Sequence, residues 1–518
     1  MSSGNRIRRL ASETAVYGIS SVVGRLINFL LFPLYSQVFP PDVYQPVVLI
    51  YAAFIFLNIL YQHGMESSYL KFATELDERT GRSSAFSTAV VSVTLISLCL
   101  SAIVWLLPEP VSRLMELDTR YLPLLMWGGW ILLLDALAVV PFADLRLQNR
   151  PWMFAGIRLA NITVNVGLNI LFIFGLGWGI ESILLANVAA SAASLVLLSP
   201  TILSRITAPD STLWRRMIRF GLPFIPGGLG YAVTERINIF FLARMDPETA
   251  RSLYHLTPES HPNLYDRAVE QGPIVFTEFV VGTYGGIIKL AVLMALFVQM
   301  FRYAWQPFFL QHQKDEDASE LFGKVFSILT LVLLTAFLGI SFLADELVRL
   351  PLPGGRTLIS SGYWLGLPII PIALIGYLFQ GWYYHFSAGA YIKDVSKYFL
   401  HATLAGSVLA LVLNALLVPS YGMWAAAAAT SAAYGLMSLT LLLLVRDKYS
   451  VPYQWARTGW AVLTAGAFYI TWNRVGALQH WWIETILVAV YAVLASRLLG
   501  IRLDAVRNSF RRPHTRNK

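Results

Sequence analysis

Apolar residues run along this chain in blocks long enough to cross a bilayer, separated by short polar, glycine-rich or proline-rich breaks. A membrane-crossing helix needs roughly 20 predominantly apolar residues. Fourteen such blocks can be marked, at about 13–39, 43–63, 85–107, 121–143, 153–175, 178–199, 217–243, 278–301, 321–343, 359–385, 398–417, 422–445, 455–472 and 481–499. Glycine and proline break helices, so Pro40-Pro41-Asp42, the stretch from Gly175 to Gly179, and Pro419 to Gly422 each end one block and open the next. The expected fold is all-α: a polytopic membrane protein of about fourteen transmembrane helices.

Composition agrees. The 518 residues are 56% hydrophobic and 13% charged, with a mean hydropathy of +0.59, whereas soluble domains carry roughly 25% charged residues. The one cysteine, Cys99, lies in an apolar run. It excludes an intramolecular disulfide and a cysteine metal cluster. A net charge of +9 could suggest nucleic acid, but the basic residues sit in short loops between apolar runs, which is a membrane-topology pattern. Arg6, Arg8 and Arg9 before the first block resemble the start of a signal peptide. The apolar part is too long and lacks a small-residue cleavage site, so it reads as an uncleaved first span.

Placing the N-terminus inside puts 27 of the 39 lysines and arginines on inner segments, counting Arg219, Lys324, Arg457 and Arg497 at the inner ends of spans, and 8 on outer loops, with Arg25, Arg158, Arg236 and Lys289 deeper within spans. That bias places both termini in the cytoplasm. An internal repeat is also visible. Leu168-Asn169, a glycine turn and the helix from Gly179 to Asn187 match Leu413-Asn414, a turn and the helix from Gly422 to Thr430. Two pseudo-repeated six-helix lobes follow, 1–212 and 213–447, then two further helices and a basic cytoplasmic tail in 448–518. The segment 244–279 is too polar for a span and too long for a turn, and is expected to form an extracytoplasmic excursion.

No catalytic signature is present, and no phosphate-cradling glycine loop with lysine points to ATP hydrolysis. Nothing calls for a cofactor or metal. What stands out is a set of polar residues on helix faces. Arg25 lies near the centre of the first span, on one face with Ser21 and Asn28, where a guanidinium costs about 2.5–3.5 kcal/mol. Glu66 continues a face with Asn58 and Gln62, and Lys71 lies just beyond. Arg158, Asn161, Asn165 and Asn169 share a face of span five, where amides also serve as interhelical glue. Glu235 and Arg236 are adjacent in span seven, and Lys289 lies towards the outer end of span eight. Lys71, Arg146, Arg150 and Arg302 lie near membrane ends, where snorkelling explains them equally well. Pro223, Pro226, Gly227 and Gly228 suit either a hinge or close helix packing.

Several segments resemble one family. They are Tyr17-Gly18, the Phe32-Pro33-Leu34-Tyr35 exit of span one, the run from His63 to Phe72, Phe220-Gly221-Leu222-Pro223-Phe224-Ile225-Pro226, and Ala304-Trp305-Gln306-Pro307-Phe308. In order and spacing the chain resembles polysaccharide or oligosaccharide flippases of the multidrug/oligosaccharidyl-lipid/polysaccharide exporter superfamily. It departs from them in Glu235-Arg236, where the family usually has Asp-Arg, and in the longer 244–279 segment.

The resemblance implies two six-helix lobes around a central cavity, alternating access, and no enzyme activity. The implied substrate is an undecaprenyl-diphosphate-linked oligosaccharide, moved across a bacterial inner membrane to build surface polysaccharide such as lipopolysaccharide. Membrane lipids and a polysaccharide polymerase or glycosyltransferases are the implied partners, with no nucleic acid. Arg25, Asn28, Lys71, Arg158, Arg236 and Lys289 become candidate substrate contacts. Glu66, Asp135 and Glu235 become candidate ion-coupling sites, and Tyr377, Trp382, Tyr383 and Tyr384 candidate sugar contacts. The alternatives are a multidrug exporter of the same superfamily and a membrane polysaccharide polymerase or ligase.

Overall fold

The computed structural model describes residues 29–76 and 80–501. They are almost entirely helical; their only strands are a short antiparallel pair, β1 (Pro351–Leu352) with β2 (Arg356–Thr357). Ten helical runs among them are long and apolar enough to cross a membrane. The difference from fourteen has physical reasons. Most of the first block lies outside the described residues. Lys397–Arg446 is one run of 50 residues that bends at Gly422 (φ 51°), where the sequence predicts two spans. Phe224–Ala243 and Trp455–Arg474, of 20 residues each, have crossing length but are less apolar. The all-α, polytopic membrane fold stands.

The chain divides into two compact units. The first holds the described residues up to Gly286, with Ile359–Leu365 and Ser407–Ala429. After helical residues 29–36 come α1 (Pro41–Gln62), α2 (Met65–Glu75), α3 (Thr80–Leu106), α4 (Pro108–Leu114) and α5 (Leu122–Leu147). They continue with α6 (Pro151–Ile170), α7 (Glu181–Leu203), α8 (Ser211–Gly221) and α9 (Phe224–Ala243). Proline opens α1, α4 and α6 at the first turn, where its missing N–H costs nothing. Between α1 and α2 the chain turns through His63 and Gly64, both at positive φ. A Cβ on Gly64 would lie 2.3 Å from the Gly221 carbonyl oxygen, so this crossing requires glycine.

The block predicted from 217 is two helices. Asp210 caps α8 by accepting from Thr212 N (2.7 Å) and Leu213 N (3.1 Å). That helix buries Leu213 and Met217 and leaves Arg215, Arg216 and Arg219 on its other faces, so it is amphipathic. Pro223 then takes the N-cap position of α9, and Pro226, Gly227 and Gly228 fall in its opening turns. The 244–279 segment is also more ordered than an excursion need be. It forms α10 (Pro247–Leu253) and α11 (Pro262–Gln271) before α12 (Ile274–Ile287).

The second unit holds Ile287–Leu358, Gly366–Gly406 and the described residues from Thr430 to 501. The block predicted at 278–301 is interrupted here. A 3₁₀ turn, Ile288–Ala291, separates α12 from α13 (Val292–His312). Then come α14 (Ala318–Arg349), α15 (Ile370–Ile392), the two ends of the long bent α16 (Lys397–Arg446), whose middle Ser407–Ala429 belongs to the first unit, α17 (Trp455–Arg474) and α18 (Trp481–Leu498). Its core is aromatic. The His385 ring, 1% exposed, stacks on Trp305 at 4.6 Å and places Nε2 3.0 Å from the Phe322 carbonyl oxygen.

Candidate functional site

Arg25 and Asn28 lie outside the described residues. The other polar side chains singled out in the first unit fall into two groups, at mid-helix and at the helix ends. At mid-helix, Asp135 on α5 accepts a hydrogen bond from Ser191 Oγ on α7 at 2.6 Å. Arg158 on α6 lays its guanidinium over the Phe142 ring, 4.3 Å from the centroid, and is within electrostatic reach of Asp135, Arg146 and Glu66. Both Asp135 and Arg158 lie deep among protein atoms yet keep part of their side chains exposed. Charges are costly against hydrocarbon, and here each of the two lies within electrostatic reach of the other. Asn187 on the same wall donates to Tyr51 Oη at 2.6 Å.

The span-five asparagines divide. Asn161 donates to Ser194 Oγ on α7 at 2.9 Å, as interhelical glue does. Asn169 instead turns back within its own helix to the Asn165 carbonyl, at 2.8 Å. Arg158 alone of that stripe carries charge.

At one end of the unit, Arg146 donates to Glu66, so the charges of these two residues answer each other. Lys71 Nζ sits 4.3 Å from the centre of the Phe220 ring, and Arg216 lies 5.0 Å from that of Phe72. Beside them is a residue the sequence reading passed over. Asp144 is wholly buried, and takes Arg205 Nε at 2.9 Å, Arg82 Nε at 3.8 Å and hydrogen bonds from Tyr69 and Gln148. It ties together the ends of α2, α3, α5 and α7. Its only sequence signal was a carboxylate beside basic residues at span ends.

The opposite end is held by the insertion. Arg267 on α11 grips Asp42 with two nitrogens, Nη2 to Oδ1 at 2.8 Å, and Asp42 is only 3% exposed. Arg120 bridges Gln271 and the buried Glu278. Arg244 meets Glu116 at 2.9 Å, and Tyr254 Oη accepts from Met423 N at 2.6 Å. Further down α9, Asn238 donates to Tyr284 Oη at 2.6 Å, and Arg236 lies 3.8 Å from its neighbour Glu235.

In the second unit, Lys289 rides on the 3₁₀ turn that interrupts the span, half-buried. Such interruptions often mark functional bends. Of the aromatics, Trp382 donates to Thr330 Oγ1 at 3.1 Å, and Arg302 stacks over Tyr384 at 4.8 Å.

The sequence pattern of one family, "Polysaccharide biosynthesis protein", matches residues 10–313. No curated protein matches the chain. Among solved structures, the fold is similar to that of "Lipid II flippase MurJ, inward closed conformation", with a TM-score of 0.70 and 14% identity, over 93% of this chain and 98% of that one. It is also similar to an inward-facing multidrug resistance MATE family transporter of the MOP superfamily, with a TM-score of 0.53 and 13% identity over 82% and 94% of the two chains. A MOP superfamily transporter from Pyrococcus furiosus, described as having a binding pocket of reverse polarity, gives 0.51 and 13% over 84% and 95%. At these identities the likeness is one of fold.

Proposed function

Because the chain belongs to the polysaccharide biosynthesis protein family, we propose that it is a flippase. Its substrate is an undecaprenyl-diphosphate-linked oligosaccharide, carried across the cytoplasmic membrane by alternating access for surface polysaccharide assembly. The observation that carries this reading is Arg158, a cation at mid-helix, laid over Phe142 and within electrostatic reach of Asp135. A sugar and diphosphate headgroup must lose hydration on its way through hydrocarbon, and fixed cations at mid-depth offset that loss.

Arg25 is the main diphosphate partner in this scheme, with Asn28 on its face. Arg158, Lys71, Arg236 and Lys289 are secondary contacts, met as the headgroup moves. Lobes 1–212 and 213–447 rock about the cavity, with α9 and its Pro223–Gly228 start as a bending point. Both termini are cytoplasmic, which puts the Asp144 end inside and the insertion outside. Of the ion-coupling candidates, Asp135 fits best. Its hydrogen-bond partner is a neutral hydroxyl, whereas Glu66 is held by Arg146 and Glu235 lies beside Arg236.

The test is surface glycan display in a strain carrying the gene as its sole copy. Arg25→Ala and Arg158→Ala should each lose glycan at unchanged protein level. Normal glycan in a deletion strain that has become hypersensitive to organic cations would replace the flippase with a drug exporter.

A further inference from the structure

At the insertion end of the first unit lies a cavity of about 250 Å³. Its polar wall is Gln45 on α1, Glu116 and Asp118 after α4, and Glu278 on α12; Leu117 and Ala243 supply an apolar side. We propose that this cavity binds one neutral sugar unit of the translocated glycan. The choice of ligand rests on the flippase reading; the existence of a polar-ligand site does not.

Three observations carry it. The first is Gln45. The residue is 3% exposed, lines the cavity, and its Oε1 has no hydrogen-bond partner among the described residues. A buried polar atom left unpaired is costly and calls for a partner. A hydroxyl can donate to the amide or accept from it, whichever way its two ends are turned.

The second is charge. Glu116 has Arg244 at 2.9 Å, Asp118 has Arg120 at 3.9 Å, and Glu278 has Arg120. Arg113 lines the same space, 3.5 Å from Glu109. The carboxylates are already answered by arginines, so little field remains to hold a bare cation. Each of these contacts engages one carboxylate oxygen, and the second can accept from a hydroxyl.

The third is size. Holding one water takes roughly 10–15 Å³ of cavity space, so this cavity, open on one side, has room for a group as large as a pyranose ring. The apolar side faces the C–H surface such a ring presents. Carboxylates, amide and arginines around a neutral polyol give it both acceptors and donors.

The full-length chain in lipid nanodiscs can be tested by saturation-transfer NMR. The probes are the methyl glycosides of glucose, galactose and mannose, and free N-acetylglucosamine. Transfer to the ring protons of at least one is expected. It should fall at least five-fold in Gln45→Leu, which removes the amide, and in Ala243→Leu, which fills the cavity from its apolar side should Gln45→Leu fail to fold. No transfer from any probe, or equal transfer in a folded variant, would overturn the proposal. So would ²³Na line broadening that vanishes in Gln45→Leu with no sugar signal, which would make this a cation site. Sugar binding alongside normal glycan in the deletion strain upholds the site and removes the flippase. Absent binding alongside lost glycan does the reverse.

Discussion

Asn169 and Asn414 build the same local structure at two distant places in the chain. Each is fully buried, and each turns its Nδ2 back to the carbonyl four residues earlier, at 2.8 Å to Asn165 and 2.7 Å to Ala410. Each leaves Oδ1 without a hydrogen-bond partner among the described residues. These are the paired Leu-Asn positions of the internal repeat, so the two copies share a side-chain arrangement as well as a pattern of letters.

That arrangement predicts an unusual tolerance. Removing a donor together with an orphaned acceptor is close to neutral, whereas leaving a charge buried is not. Asn169→Leu and Asn414→Leu should each stay within about 1 kcal/mol of the parent. Asn→Asp at either position should cost about 3 kcal/mol or more. Thermal unfolding in detergent followed by tryptophan fluorescence measures both. A Leu variant that keeps its melting temperature but loses glycan export would move that asparagine into the transport pathway.

The insertion should be held by its deepest ion pair. Arg267 is about three-quarters covered and Asp42 almost wholly, with side-chain exposures of 24% and 3%. Removing one partner strands the other, at a cost of about 3 kcal/mol. Arg267→Ala should therefore melt well below the parent, and Asp42→Asn/Arg267→Gln should recover part of the loss. A double variant as unstable as the sum of its singles would show that the two residues do not act as a pair.

How far the fold could be read in advance follows from the same contrast. Spans and their turns are local: apolar runs cross, and Pro40-Pro41 or Pro419 to Gly422 stop them. The error at 217 was local too, since Arg215, Arg216 and Arg219 before Pro223 already describe an amphipathic helix and a break. Pairings were not legible. Glu66 finds Arg146 from 80 positions away and Asp42 finds Arg267 from 225, distances over which the sequence carries no register. Thus Glu66, read as an ion site, is in a pair, while Asp144 went unnoticed although it draws four partners. Arg158 was legible as a charge within a span; its seat on Phe142 was not.

Ion coupling at Asp135 gives a prediction that separates it from Glu66. Asp135→Asn should cut glycan export at least ten-fold, because the amide cannot carry a proton or a cation through the cycle. Glu66→Gln or Arg146→Gln leaves one charge of a half-exposed pair unanswered, and each should lose less. The double Glu66→Gln/Arg146→Gln should regain what either single loses. Quantitative surface-glycan blots at matched protein level decide it. Full export in Asp135→Asn would hand the coupling role to another carboxylate.

The insertion should also respond to pH through His261. Its ring packs edge-on against Phe279, with centroids 5.2 Å apart, and burial lowers its pKa from the ordinary 6.5. Between the lowered value and 6.5 the undocked segment binds more protons than the docked one, so stability rises with pH there. Docking is at full strength above about 6.5 and weakens as pH falls towards the folded value. Asp246 acts in the same direction at lower pH. It caps α10 by accepting from Thr249 N at 2.8 Å and Thr249 Oγ1 at 2.9 Å, bonds that hold its pKa below the ordinary carboxylate value. Hydrogen exchange, corrected for the intrinsic pH dependence of the amides, should show the amides of α11 losing protection between about pH 7.5 and 5.5. His261→Gln, which keeps a polar group but cannot be protonated in this range, should flatten that response. Equal loss of protection in the parent and in His261→Gln would assign the pH response to other groups.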